Sequence, residues 1–463
     1  MDKRLASPGG WKGRRLPPAA RAKVDIRLLL RLTLPIFLEL VMQLLVGNVD
    51  KIMVGNDISA TAINQANSIL DMLTVSLSVL SAASLILINQ YKGAKDEKRE
   101  GQIYLISFYF TLALGLAIGL CVSVLARPIF AAMQVPPQVL DEALVYIRIT
   151  GSFLFLQAVM LSLGAYLRSN TFMMQSLAVS FVFNLLNIGG NALFLYGLGI
   201  EGAMGVAIPS TIARALGVAM LAFAVGKSLK IDLRPRRLKG LEGRELKKLL
   251  HIGLPSCGES ISYSFSQIVI LAVINLIGTS AAIAKTYATM LAMCSYLFTS
   301  AISQAMQILL GRALGANQKQ AANDLVMFIT RVSCLTSLAM SVLIALFAEN
   351  IFGLLTRDPE VIALCKTVMF IDVALELGRA VNIVMVRALQ TCGDVFFPTT
   401  LSILFCWCVA VLGAYLLGYQ LRMGIAGVWL AMAVDEIARA FICLARFHKG
   451  GWRKLSLVEN VGA

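Results

Sequence analysis

Carboxylates fall inside stretches that are otherwise apolar, among them Glu39, Asp50, Asp71, Glu259, Asp372 and Glu376. A charged side chain at the centre of a bilayer costs roughly 2.5 to 3.5 kcal/mol on insertion scales, so an acid placed there calls for a partner, a solvated position or a task. The task open to a buried carboxylate is to exchange a proton for a metal cation as its exposure changes. Asp50, Glu376, Asp372 and Glu259 are the candidates for such coupling. Asp50 has only the adjacent Lys51 as a nearby cation, and on a helix that side chain points about 100° away. Glu376 and Arg379 stand three residues apart, which leaves two readings open: a local ion pair, or a carboxylate that alternates between cation and proton. Glu39 and Glu259 each follow a proline in a repeated Leu-Pro-x-x-x-Glu stretch, Leu34 to Glu39 and Leu254 to Glu259. Both sit near the ends of their apolar runs, where headgroup contact is cheap, and for them structure and function weigh equally.

The other polar residues of these runs gather on helical faces. Glu39, Gln43 and Asp50 lie within about 40° of one line at 100° per residue. Asn64, Asn67, Asp71 and Ser78 share a second face; Ser180, Asn184, Asn187 and Asn191 a third; Glu259, Ser262, Tyr263 and Ser266 a fourth. The densest face carries Asp372, Glu376 and Arg379, with Asn382 nearby. The expected polar lining of an internal cavity is therefore Glu39, Gln43, Asp71, Asn184, Asn187, Asn191, Tyr263, Arg379 and Asn382. Nothing here reads as an enzyme. His251 and His448, the two histidines, sit at span ends without a nucleophile or metal constellation. Gly197 to Gly202 satisfies GxGxxG but joins two apolar runs as a turn, and Gly311 to Gly315 lacks the Gly-Lys-Ser/Thr that grips phosphate. No cofactor or resident metal is expected; the coupling ion is Na+ or H+, with sodium at Glu376 as an open reading.

The elements that position these residues are long helices. Of 463 residues, 58% are hydrophobic and 14% charged, against about 25% charged in a soluble domain. Twelve apolar runs are long enough to cross a bilayer as helices: 32–54, 61–91, 102–126, 143–165, 176–197, 203–225, 250–277, 280–309, 325–347, 361–385, 398–418 and 424–445. Short alternating strands, as a barrel would need, are not the pattern. The net charge of +15 is a topology signal rather than a nucleic-acid footprint. Lys92, Lys95, Lys98, Arg99, Arg168, Arg312, Lys319 and Arg387 fall in loops of one side, with Arg127, Arg357 and Arg422 on the other. By the positive-inside rule both termini are cytoplasmic, in a multi-pass protein of the plasma (inner) membrane. The nine cysteines show no paired spacing and read as free, buried thiols.

The chain divides into a basic tail (1–31), a first lobe (32–226), a basic linker (227–249), a second lobe (250–446) and a C-terminal tail (447–463). The lobes are repeats. Gly55 and Gly278 follow their first spans, and Gly93 and Gly315 their second. Gly202-Ala-Met-Gly205-Val206 likewise parallels Gly424-Ile-Ala-Gly427-Val428. Six spans per lobe make the repeats parallel, with substrate expected between them near the midplane. The fold class is thus an all-α polytopic membrane protein with two six-helix repeats around a central cavity.

Three segments carry a family resemblance: Asn48-Val-Asp50-Lys-Ile-Met-Val-Gly55; Arg387-Ala-Leu-Gln-Thr-Cys-Gly393-Asp394; and Gly424-Ile-Ala-Gly427-Val428-Trp429 running to Arg446-Phe447 and Trp452. In this order, over residues 28 to 450, the chain resembles the multidrug and toxic compound extrusion family. The resemblance implies two lobes that rock about a central cavity and export small organic, cationic compounds in exchange for sodium or protons. It matches Asp50 to the acid of the first span, and Asn187 and Asn191 to an Asn/Asp pair of the fifth, with Asn here in place of an acid. Glu376 matches a carboxylate of the tenth span. The acid of the seventh span falls at Tyr263, one turn beyond Glu259. Met290, Met293 and Phe298 are read as cavity lining or lipid-facing packing. A lipid bilayer and organic substrates are the expected partners, nucleic acid is not, and the chain is expected to act as a monomer. A flippase for a lipid-linked precursor is the alternative. It would need a wide cationic cavity, for which Arg379 is the one intramembrane arginine that looks well placed.

Overall fold

The computed structural model describes residues 26–55, 57–229, 231, 233–234, 243–455 and 457–458. The tail before residue 26, residues 230, 232 and 235–242 of the basic linker and the last residues of the chain lie outside that set. Among the described residues there are fourteen α-helices and no strand. They are α1 (Ile26–Met53), α2 (Asp57–Ala94), α3 (Glu97–Ala132), α4 (Pro137–Ser152), α5 (Leu154–Ser169), α6 (Met173–Ala192) and α7 (Gly202–Leu229) in the first half. The second half holds α8 (Gly243–Ile277), α9 (Thr279–Gly315), α10 (Lys319–Leu346), α11 (Ala348–Leu355), α12 (Pro359–Cys392), α13 (Phe396–Phe405) and α14 (Gly424–His448).

Every expected span has its helix. The fourth is a pair, α4 and α5, bent by 45°. The fifth continues α6 through a π-helical turn at Leu193–Gly197, and the eleventh continues α13 through π-helical stretches at Cys406–Val411 and Ala414–Gln420. The short α11 is an addition that the apolar pattern did not single out. Among the described residues, eight helices are long and apolar enough to cross a membrane, nine with the bent pair counted as one span. The other three expected spans are α1, α12 and α14, of 28, 34 and 25 residues, lengths that exceed a hydrocarbon core of about 30 Å at 1.5 Å per residue. Charged residues interrupt α12 and α14, and those residues form one of the two polar centres described below.

The halves repeat in backbone detail. Left-handed residues that end helices or open them recur at Lys95 and Asn317, Thr171 and Gly393, and Gly202 and Gly424, each pair 222 positions apart in the sequence. Large apolar side chains such as Leu120, Val124, Phe223, Leu335, Leu346 and Phe441 point outward, as a lipid-facing surface requires. The nine cysteines are free, but Cys121, Cys294 and Cys408 are exposed rather than buried.

The halves meet through α1 and α2 against α9, and through α2 and α3 against α8. That contact is concentrated at one end. In α2 every residue from Ala83 to Tyr91 is buried, and in α9 nearly every one from Thr299 to Ala313. The opposite ends of both helices carry far fewer buried positions. A core that packs both halves at one end therefore leaves their other ends to be held by the packing within each half.

Candidate functional site: two buried polar centres

In the first half, α6 presents Asn187 and Asn191 one turn apart, on one face. That face can reach α7 because Gly190 has no side chain: a Cβ there would stand 2.8 Å from the Pro209 Cβ. Ser210 follows Pro209, and Asp50 on α1 completes the group. The Asp50 carboxylate accepts a hydrogen bond from Asn191 Nδ2 at 2.7 Å and from Ser210 Oγ at 3.4 Å. Asn187 Nδ2 donates to Ser210 Oγ at 2.8 Å. Asp50, Asn187, Asn191 and Ser210 are all buried, and no ion pair forms at Asp50 among the described residues. The side-chain carbonyl oxygens of Asn187 and Asn191 are buried without a hydrogen-bond donor among the described residues. Such orphans are costly and call for a proton or cation nearby. One carboxylate, two amide oxygens and a hydroxyl make a set of hard oxygen ligands, of the kind that suits a hard cation. Protonated Asp50 would equally offer a donor.

Not every residue expected here joins it. Asn184 is buried, but its amide donates to the Ser180 carbonyl of its own helix at 2.6 Å. Gln43 and Asp71 are exposed, so neither belongs to this buried group. Gln43 lies at the edge of the α1 stripe, and the packing on α6 covers Glu39 and Asp50 but not Gln43. Glu39 is tied down: Arg168 Nη1 donates to it at 2.9 Å and Ser176 Oγ at 3.1 Å.

The second centre lies between α12 and α14. Their crossing is close at Gly378, where a Cβ would stand 2.7 Å from Ile437 Cγ1 and 2.9 Å from its backbone nitrogen. This brings Glu376, Arg379 and Asn382 against Asp435, Glu436 and Arg439. Arg379 pairs with Glu376 and lies 3.7 Å from Glu436. Arg439 pairs with Asp435 and with Glu436 at 3.1 Å. Asn382 Nδ2 donates to Glu436 at 2.7 Å. One turn away Asp372 accepts from Trp429 Nε1 at 3.1 Å and forms no ion pair among the described residues. The Ser337 hydroxyl of α10 donates to the Glu376 carbonyl at 3.1 Å. Tyr263 and Gln267 from α8 close a small pocket over Arg379, Asp435 and Glu436. Four carboxylates thus face two guanidiniums, leaving two formal negative charges in excess.

The local ion pair, one of two readings open for Glu376 and Arg379, is present. Glu259 stands apart from both centres, accepting from Gln390 and Thr399 at 3.4 Å each. Ser210 of the first centre and Asp435, Glu436 and Arg439 of the second are the residues that the sequence reading missed, so Arg379 is not the only well-placed intramembrane arginine. The missing signal was available: the same charge cost that marked Asp372 and Glu376 applies to three charged residues within one turn of the last apolar run.

The MatE family profile matches residues 35–193 and again 255–416. The chain is 30% identical over 429 residues to YisQ, an uncharacterized transporter of Bacillus subtilis (strain 168), covering 92% of this chain and 94% of that one. It is 22% identical to a probable multidrug resistance protein NorM of Thermotoga maritima, over 93% of this chain and 94% of the relative. A MATE protein crystallised in its bent conformation shares the fold at a TM-score of 0.86 and 19% identity, over 93% of this chain and 96% of that one.

Proposed function

We propose that this chain, which belongs to the MatE family of multidrug efflux transporters, is a secondary active exporter of organic cations driven by sodium or proton entry. One observation carries the coupling: Asp50 is a buried carboxylate whose hydrogen-bond partners are neutral, with the Arg214 guanidinium acting on it only through space, beside two amide oxygens that lack a donor among the described residues. A proton on Asp50 can donate to one of these amide oxygens, and a sodium ion among them can be held by both, so the two ions compete for one place. Burial disfavours leaving the group charged and alone, so ion release must accompany a change in its packing. Each elementary charge that returns down the membrane potential supplies about 2.3 kcal/mol per 100 mV.

In this reading residues 32–226 and 250–446 are the two lobes, both termini are cytoplasmic, and substrate binds between the lobes. Asp372, with Trp429 as its hydrogen-bond partner, is the second-lobe acid suited to exchange. Glu376 serves to hold Arg379. Glu39 and Glu259 tie the first helix of each lobe to its neighbours. A flippase for lipid-linked anions is less well supported, because Arg379 and Arg439 are both engaged by carboxylates.

The decisive experiment is ethidium efflux from proteoliposomes under a sodium gradient and a pH gradient imposed separately. One of them should drive efflux by the native protein, and Asp50→Asn should lose at least nine-tenths of it. Efflux that follows neither gradient overturns the antiport reading. Native rates in Asp50→Asn overturn the site.

A further inference from the structure

We infer that the end of the bundle where α2 and α9 finish is a reciprocal clasp between the two halves, and that its parting is the step that opens the cavity on that side. The clasp is a feature of the geometry; its role in opening rests on the exporter reading above.

Its contacts are backbone against backbone. A Cβ on Gly93 would stand 2.2 Å from the carbonyl oxygen of Arg312 and 2.9 Å from the Cα of Gly315. A Cβ on Gly315 would stand 1.9 Å from the carbonyl oxygen of Gln90. Neither glycine has a left-handed φ, so it is the space, and not the backbone conformation, that requires them. One turn earlier, a Cβ on Gly311 would stand 2.9 Å from the Asn89 Cβ.

Two side chains bolt this contact. Gln90 of the first half donates from Nε2 to the carbonyl of Thr391 at 2.6 Å. Arg312 of the second half donates from Nη2 to the carbonyl of Ser169 at 2.6 Å, and from Nε to Asn89 Oδ1 at 3.1 Å. Ser169 and Thr391 lie in the last turns of α5 and α12, where carbonyls have no partner within the helix. A guanidinium is also favoured by the negative end of a helix dipole. The two bolts are the same bolt. Gly93 and Gly315, Gln90 and Arg312, and Ser169 and Thr391 are each 222 positions apart, the spacing of the left-handed residues that mark the repeat. Each half reaches across to the same place on the other.

Reciprocity makes the clasp behave as a unit. Rotating one half away lengthens both bolts and both glycine contacts together, and backbone contacts without intervening side chains have little reach to stretch over. Packed interfaces of this kind switch between discrete arrangements rather than deform gradually.

The test uses the full-length chain carrying Asn89→Cys with Gly311→Cys. The Cβ positions stand 2.9 Å apart, closer than the disulfide range of about 3.5 to 4.5 Å, so the bond forms with a local parting of the helices of about 0.6 Å or more. Oxidation in proteoliposomes should form the 89–311 bond, identified by peptide mass spectrometry, and cut ethidium efflux at least tenfold until reductant restores it. Undiminished efflux once the bond has formed overturns the proposal, and where the bond does not form, hydrogen exchange on the following variants decides. Amide hydrogen exchange on Arg312→Gln and Gln90→Ala probes the clasp without any transport. It therefore decides even where no gradient drives efflux, or where the reduced double variant is inactive. Each substitution should speed exchange at least tenfold in the last turns of both α2 and α9. A response confined to the substituted helix overturns the reciprocal clasp.

Discussion

Asp50 and Glu376 show how one residue type takes different roles through its neighbours. Both are buried carboxylates on spanning helices, but Glu376 has a guanidinium against it and Asp50 has an amide and a hydroxyl. Hydrogen bonds to a charged acceptor are each worth roughly 1.5 to 3 kcal/mol, so the contribution should follow the distances. Asn191→Leu, which removes the donor at 2.7 Å, should lower gradient-driven efflux at least tenfold. Ser210→Ala, which removes one at 3.4 Å, should cost less than threefold. Equal losses in initial-rate assays would show that distance does not rank these partners. Around Glu436 the issue is stability. Arg439→Leu strands Asp435 and Glu436 together, a loss of roughly 3 to 5 kcal/mol. It should appear as a clear drop in the thermal unfolding midpoint in detergent. Replacing Arg439, Asp435 and Glu436 together with leucine should recover most of that stability, because the charges of α14 are then removed together while Arg379 keeps Glu376 as its partner.

Among the helices, two glycines set which side chains can meet. Gly190 lets α6 close on Pro209 of α7, and Gly378 lets α12 close on Ile437 of α14. Each contact holds one polar centre together from two elements. Gly190→Ala should force α6 and α7 apart, costing about 1 to 3 kcal/mol through overpacking and weakening the Asn187–Ser210 bond. At the neighbouring Gly189 a Cβ would meet nothing within 4 Å, so Gly189→Ala should be neutral or stabilise α6 by up to about 1 kcal/mol. Unfolding midpoints of the two variants check this pair. Similar midpoints would mean that the α6–α7 approach does not depend on Gly190.

At the scale of the whole molecule, two repeats carry unlike centres. The first is built by α1, α6 and α7 and the second by α12, α14 and α8, so the repeat keeps the frame but not the chemistry placed on it. Equivalent roles do survive near the repeated Leu-Pro-x-x-x-Glu stretches. Ser176 donates to Glu39 in one half and Thr399 to Glu259 in the other, tying the first helix of each half to its fifth span. The interface between the halves is the part that uses the repeat directly: Gln90 and Arg312 each reach the other half only because the same helix ends face one another. In oxidised Asn89→Cys/Gly311→Cys protein, substrate binding from the side opposite the clasp should persist while turnover stops. Equilibrium binding of ethidium measured alongside efflux checks this, and loss of both would point to a cavity that the bond has distorted.

The amino-acid sequence alone determined the twelve spans, the repeat and the place of Asp50 as an acid inside an apolar run, because run length, glycine spacing and residue type are local properties of the chain. It also placed Asn187 and Asn191 on one face, since helical periodicity fixes that without a partner. Only the tertiary structure decided which polar faces are paired and which are uncovered. Glu376 and Arg379 could have been a pair or a site until α14 brought Glu436 beside Arg379. Gln43 shared a stripe with Asp50 but is exposed among the described residues. Asp435, Glu436 and Arg439 could have been noticed from charge cost, but not joined to Asn382 and Arg379, because their meeting depends on the approach at Gly378. The clasp likewise needed the fold. Glycines at 93 and 315 are visible as repeat markers, but which carbonyl each one makes room for is set by how two distant helices cross.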